Sequence, residues 1–294
     1  MRLIGLYRET EYSPGRHRAN DTELLERVAN ALRARGFQVD LMTLAEAPPR
    51  GEEAALVFSM CQGRAALDIL ARWEQDGALV INSPEASLNT YRDRLPGMMA
   101  DAGVPFPATT LVATQSPSAA PVDVRRGVWL KRGDVHASVS ADVQWVNSAD
   151  GLHAGLRDFA TRGIARAALQ PHHGGDEVKF YAVPGSSFFH WYYSDAAGAG
   201  NGNGTGPEIH RHPLDVPALR RLAERAAAAA GLDIFGGDII VEPSGALTLI
   251  DLNDWPSFAP CRERASEAIA DYLMRRVDAA WNPGLVSSAN ESAV

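Results

Sequence analysis

The feature that most restricts this chain is a pair of apolar runs that close on acids. Asp238–Val241 (DIIV) and Leu247–Asp251 (LTLID) have β-strand composition, and Glu242-Pro243-Ser244-Gly245 between them supplies turn residues. A hairpin turning about Ser244-Gly245 pairs residues whose numbers sum to 489, so Val241 faces Thr248, Ile240 faces Leu249 and Asp238 faces Asp251. Side chains opposed in this way stand about 4.5–5.5 Å apart at Cβ, where like charges repel. Asn253 joins the same face if the strand runs on. Two carboxylates and an amide oxygen at the end of a buried-looking hairpin need a counter-charge. Magnesium takes oxygen ligands and bridges carboxylates to nucleotide phosphates, so it meets that need. Salt bridges to lysine or arginine would also meet it, as would a solvated sheet edge; the flanking apolar residues favour the metal.

Upstream, Arg2–Tyr7 reads as a strand, Asp21–Arg35 as a helix with Asp21 as N-cap, and Phe37–Met42 and Ala54–Phe58 as strands. A helix over Ala65–Gln75 and a strand over Ala78–Ile81 complete an open parallel α/β domain at 1–81. No GxGxxG follows the first strand, so a dinucleotide site there is unsupported. Glu85–Ala102 is helical in pattern and ends at Gly103-Val104-Pro105, and Thr110–Ala113 is a strand, within a linker at 82–125. Val128–Lys131 and Ala167–Gln170 are strands flanking a helix at Ala149–Thr161. Val178–Val183 and Ser187–Tyr193 form a hairpin across Pro184-Gly185-Ser186. Gly198–Gly206 reads either as a disordered hairpin tip or as a flap over a ligand. Pro217–Ala230 and Cys261–Ala280 are helices, and 283–294 is an unstructured tail.

Three cations could meet the acids. Lys131 closes a strand before a glycine-bearing turn, a recurrent setting for phosphate. Lys179 sits inside an apolar strand, and Arg211 follows the glycine-rich segment. His136, His172, His173, His190, His210 and His212 lack zinc spacing, and Cys61 and Cys261 offer no CxxC pair. The 294 residues carry a net charge of −8, which argues against general affinity for nucleic acid or an anionic membrane surface. The N-terminal apolar run is too short for a signal peptide and no window approaches a membrane span, so a cytoplasmic setting is expected.

Lys131 on a strand, then Gln170-Pro-His-His-Gly-Gly-Asp-Glu-Val-Lys179, then Asp238…Asp251-Leu-Asn253, resembles the ATP-grasp superfamily. The resemblance implies an α/β chain with α+β lobes: the N-terminal domain at 1–81, a central lobe at 126–171 and a C-terminal lobe at 172–282 gripping ATP. It implies that Lys131 contacts ATP phosphates with His136 near it, that Leu169, Gln170 and Pro171 form the adenine hinge, and that Lys179 reaches phosphate or the acyl substrate. Asp238, Asp251 and Asn253 match its ligands to magnesium, two ions being usual and manganese an alternative. Lys179 and Arg211 are the catalytic candidates; Arg8, His173, Asp254 and Ser257 are the substrate candidates, with Cys61 and Gln62 near them. A homodimer is common in the superfamily and stays open.

Two branches of that superfamily fit. One joins a carboxylate to an amine or thiol through an acyl phosphate, as in the glutathione synthetase and ribosomal S6 modification group. The other phosphorylates a hydroxyl, as in the inositol trisphosphate 5/6-kinases. QPHHGGDEVKFYAV, GGDIIVEPSGALTLIDLN and His136 five residues after Lys131 are similar to the kinases. Against them stand the few basic residues near the motifs, and Val139-Ser140-Ala141 where those kinases carry a second histidine. The ligase is the favoured expectation, acting on a small carboxylate; a polyol kinase is the alternative. A nucleotide-binding module without catalysis would have lost one of Lys131, Asp238, Asp251 or Asn253, and all are present.

Overall fold

The computed structural model describes residues 1–49, 51, 54–115, 123–194 and 212–281. The glycine segment 198–206, His210, Arg211 and the tail at 283–294 lie outside these residues. Three four-stranded sheets organise the rest. The first is parallel, in the order β2-β1-β3-β4, from β1 (Arg2–Leu6), β2 (Gln38–Met42), β3 (Leu56–Ser59) and β4 (Val80–Ile81). Alternate residues feed its two faces. Leu3 and Phe58 pack with Leu24, Val28 and Leu32 of α1 (Arg16–Ala34), while Ile4, Leu6 and Val57 pack with Leu67 and Leu70 of α2 (Arg64–Gln75).

Three sequence expectations change here. Helix α1 begins at Arg16, so Asp21 is not its cap but a buried residue inside it. Its carboxylate accepts from Ser13 Oγ at 2.6 Å and pairs with Arg8 Nε at 3.1 Å, fixing Arg8 just past the end of β1. The helix expected over 85–102 is two, α3 (Pro84–Asn89) and α4 (Leu95–Asp101). Between them Tyr91 Oη donates to Gln62 O at 2.6 Å and Asp93 N to Gly133 O at 2.8 Å, so the break is held from both sides. The last helix, α7 (Arg262–Trp281), belongs with the first sheet's layer: Ile269, Leu273 and Val277 share a core with Leu24 and Val28, and Arg35 pairs with Glu267 and Asp271 at 2.7 Å.

The second sheet is antiparallel, in the order β5-β8-β6-β7, from β5 (Thr110–Ala113), β6 (Val128–Arg132), β7 (Val143–Val146) and β8 (Arg166–Pro171). Strand β5, inside the expected linker at 82–125, is thus part of a lobe. Leu152, Leu156 and Phe159 of α5 (Ala149–Thr161) cover one face through Val128, Leu130 and Leu169. The third sheet, in the order β10-β9-β11-β12, holds β9 (Asp176–Ala182), β10 (Phe189–Tyr193), β11 (Phe235–Val241) and β12 (Leu247–Asp254). Alanine-rich α6 (Val216–Ala230) lies on it, Leu219, Ala223 and Ala226 meeting Phe180, Ile239, Leu249 and Leu252. Asp215 caps that helix through Ala218 N at 3.0 Å, and Gly231 ends it at φ 75°. Among the described residues no helix is long and apolar enough to cross a membrane.

A polar joint ties the first sheet to the end of β12. Asn82 donates to Asp254 Oδ1 at 2.5 Å and to Ile234 O at 2.8 Å, and its oxygen accepts from Asp233 N and Ile234 N at 2.8 Å. Trp255 Nε1 donates to Ile81 O at 3.1 Å and Arg8 Nη2 to Trp255 O at 2.6 Å. Asp254, expected as a substrate contact, is 1 % exposed and serves this joint. It pairs with Phe235, one residue past Asn253, and so points to the opposite face of the sheet. Burial pushes its carboxyl up to about 6. Between its ordinary value of 3.8 and that value, the folded chain holds a proton that the unfolded chain has released. This group's contribution to stability therefore falls as pH rises through that window, by about 3 kcal/mol in all. Asp254→Asn should flatten that part of the stability profile in urea unfolding from pH 4 to 6.5; a variant profile parallel to the wild type would refute the assignment.

Candidate functional site

The acidic hairpin depends on one extra residue. From its tip, Val241 pairs with Leu247, Ile240 with Thr248 and Ile239 with Leu249, one residue out of the expected register. The register shifts between Asp238 and Ile239, which leaves Ile250 as a bulge, and Asp238 then meets Asp251 as expected. Leu249 and Asp251 are two apart and would share a face in a regular strand. With the bulge, Leu249 (0 % exposed) enters the core under α6 while Asp251 and Asn253 turn to the other side. Gly237 permits the close pairing: a Cβ there would stand 2.4 Å from Asp251 O.

On the neighbouring strand Lys179 pairs with Asp238, and its Nζ contacts Asp238 Oδ1 at 2.8 Å and Glu177 Oε1 at 2.9 Å. Against the pull of burial, these carboxylates hold the Lys179 ammonium well above its ordinary value. Burial pushes the Asp238 carboxyl up, with Lys179 opposing. Asp251 is matched by Arg92, whose Nη2 reaches Asp251 Oδ2 at 2.7 Å and whose Nη1 donates to Val135 O at 3.3 Å. Arg92 comes from the break between α3 and α4, where the sequence had suggested continuous helix. Its signal is the charged run Arg92-Asp93-Arg94 just ahead of Pro96.

Lys131 approaches this face from the second sheet. It is 8 % exposed, and its ammonium makes no ion pair or hydrogen bond among the described residues. Burial, aided by the Arg92 charge and opposed by Asp251, Asp238 and Glu177, lowers it to about 8. The glycine turn after it does not offer a free amide at Gly133: that N–H donates to Arg166 O at 2.8 Å, and a Cβ there would meet the same carbonyl at 2.7 Å. Gly133 is a packing residue.

Leu169, Gln170 and Pro171 end β8. Leu169 is in the core at 1 % exposure and pairs with Thr110 at the start of β5, so on that flank Gln170 and Pro171 run past the ladder. Gln170 Nε2 donates to Thr109 Oγ1 at 2.9 Å. On the other flank Gln170 pairs with Trp129, which shares the Lys131 face of β6 and meets Trp145 with ring centroids 5.1 Å apart. Trp129 was missed in the sequence because a tryptophan in a strand reads as core.

His136 lies with its Nε2 3.5 Å from Arg8 Nη1, and burial with Arg8 and Arg92 beside it holds its pKa well below the ordinary value. Arg8 is itself 9 % exposed and committed to Asp21 and Trp255. Gln62 Nε2 donates to Asp254 O at 3.3 Å, and Cys61, its thiol pushed up to about 12 by burial, is an apolar filler and not a nucleophile. His173 and Ser257 are half-buried. Among the described residues no three of His, Cys, Asp and Glu gather as a metal cluster. The oxygen set is two carboxylates and an amide, of the hard kind that suits magnesium. Lys179 engages Oδ1 of Asp238 and Arg92 engages Oδ2 of Asp251, so each carboxylate keeps a second oxygen outside these pairs.

No family model and no curated protein sequence matches the chain. Solved structures do. A RimK domain protein ATP-grasp from Sphaerobacter thermophilus matches at TM-score 0.68 and 17 % identity, over 93 % of this chain and 100 % of that one. D-alanine–D-alanine ligase from Bacillus anthracis complexed with ATP matches at TM-score 0.67 and 10 % identity, over 97 % and 100 %. The ATP-grasp ligase PsnB complexed with minimal precursor matches at TM-score 0.56 and 18 % identity, over 93 % and 98 %. The chain therefore has the ATP-grasp fold, with a parallel α/β sheet ahead of two antiparallel lobes.

Proposed function

We propose that this chain is an ATP-dependent ligase that joins a small carboxylate to an amine or thiol through an acyl phosphate. The observation that carries the reading is Lys131. Its side chain is largely withdrawn from water with no counter-ion in contact among the described residues, which disfavours the charged form. It lies across from two carboxylates and beside Arg92, an arrangement suited to an anion that also brings its own cation. A magnesium nucleotide is such a ligand. The fold shared with D-alanine–D-alanine ligase and PsnB favours ligation over phosphorylation of a polyol.

In this reading adenine lies at Gln170–Pro171 against Trp129, where β8 runs past β5 and its backbone is open to the base. Lys131 and Arg92 bind the phosphates, and the preorganised charges act where negative charge develops during transfer. Asp238, Asp251 and Asn253 would hold magnesium, which supplies positive charge to the β- and γ-phosphate oxygens. Lys179, held charged by Asp238 and Glu177, steadies the acyl phosphate and the tetrahedral species formed when the acceptor attacks its carbonyl carbon. Arg211 is the further cation we assign to that step.

Two measurements test this. Lys131→Met should leave the melting temperature of the ligand-free chain no lower, because no ion pair among the described residues is lost, and should abolish ATP binding in isothermal titration with magnesium. Normal ATP affinity in that variant would overturn the nucleotide site. ADP release, screened over paired carboxylates and amines, should require both partners and fall at least about a hundredfold in Asp251→Asn. Release with a polyol and no amine would replace the ligase by the kinase.

A further inference from the structure

The face of the third sheet that bears Lys179 and Asp238 continues past them into a group of aromatic rings. Lys179 pairs with Tyr192 and Tyr181 pairs with His190, so all four residues share that face. The Tyr181 ring lies 6.3 Å from Tyr192 and 6.3 Å from His190, with planes tilted by 19° and 24°; His190 and Tyr192 are 5.9 Å apart and tilted by 42°, and the two tyrosine hydroxyls are 3.5 Å apart. Phe258 backs the group, its ring 5.2 Å from Tyr181. Pro256 closes over Gly236, where a Cβ would meet the proline Cγ at 2.9 Å and Tyr181 Cδ1 at 3.0 Å. The rings end on β10, an edge strand among the described residues.

These rings stand at the margin of the core, with Tyr181 packed against it and His190 and Tyr192 further out. Tyr181, His190 and Tyr192 are half-buried; on the opposite face β9 carries the buried Val178, Phe180 and Ala182, and β10 the half-buried Phe189, Trp191 and Tyr193. Beyond His190 lies Arg264, an exposed guanidinium 5.8 Å from the Phe188 ring centre, with no carboxylate partner among the described residues and near enough to lower the His190 pKa. The face therefore carries, between Lys179 and the Arg264 guanidinium, a triangle of three rings in which Tyr181 is near-parallel to Tyr192 and to His190.

We infer that this wall of rings is the acceptor subsite, and that it selects a small molecule with a planar aromatic ring and an anionic group. The ring packs against Tyr192 and Tyr181, and the reacting end points to Lys179. Offset stacking and the flat contact area favour a planar ring over a saturated one of similar size. A free anionic group would meet the Arg264 guanidinium. The inference rests on the ligase reading for the direction in which the ligand lies, but its recognition element is the wall alone.

The test uses the full chain with magnesium and a non-hydrolysable ATP analogue, and two probes of equal charge, 3-phenylpropanoate and 3-cyclohexylpropanoate. Their affinities are read by isothermal titration or saturation-transfer NMR. The phenyl probe should bind about tenfold more tightly than the cyclohexyl probe. Tyr192→Ala should erase that preference while leaving the affinity for the ATP analogue intact, which also certifies that the variant is folded. Equal affinities in the wild type, a preference that survives in Tyr192→Ala, or no binding of either probe beside normal nucleotide binding would each overturn the subsite and leave the nucleotide reading standing. Loss of nucleotide binding in the wild type would instead defeat the reading on which it rests.

Discussion

One inserted residue governs the chemistry of this cleft. Strand β12 must place Leu249 in the core beneath α6 and Asp251 in the cleft, and a strand with strict alternation cannot do both two residues apart. The bulge at Ile250 resets the parity, so everything from Asp251 onward is displayed on the face opposite to the one that alternation from Leu249 dictates. Asp238 gains its partner across the strand pair, Asn253 follows Asp251 into the cleft, and Asp254 swings to the far side to grip Asn82. A regular β12 keeping Leu249 inside would aim Asp251 and Asn253 at the core and Asp254 at the cleft. The same device thus sets the candidate metal face and the joint that docks the first sheet.

The pairing of Asp238 with Asp251 was legible in the sequence, but partly for the wrong reason. Counting back from the Ser244-Gly245 turn gave the right acids opposite each other with the wrong register at the tip, and the two discrepancies cancel at the bulge. A bulge leaves little trace in composition, since Ile250 is as apolar as its neighbours. Strand and helix content also followed from pattern, because Leu24, Val28 and Leu32 mark a helix face that tertiary packing uses as written. Tertiary assignments did not. Whether α7 lies on the third sheet or on α1 depends on which apolar surface it meets, and the sequence of a helix does not name its partner. Arg92 was hidden for a related reason: a short polar interruption between two helical runs is consistent with one continuous surface helix. Only the contacts of Tyr91 and Asp93 with separate segments reveal a clamp.

The charges in the cleft are of two kinds, and the difference bears on function more than their number does. Asp238 with Lys179, and Asp251 with Arg92, are pairs that offset part of the cost of burying these charges when no ligand is bound, and at Asp238 burial still prevails. Lys131 is different. It is nine-tenths buried, with carboxylates near enough to raise its pKa but none in contact, and Arg92 lowers it. Folding alone gains little from a lysine whose charged form its surroundings disfavour. Such a residue makes physical sense when an anion completes its surroundings. A cation entering at the second oxygens of Asp238 and Asp251 would leave the pairs with Lys179 and Arg92 in place. The arrangement is then a set of counter-charges fixed before the ligand arrives, with an ammonium that phosphate can neutralise and a carboxylate, Asp238, that a cation can.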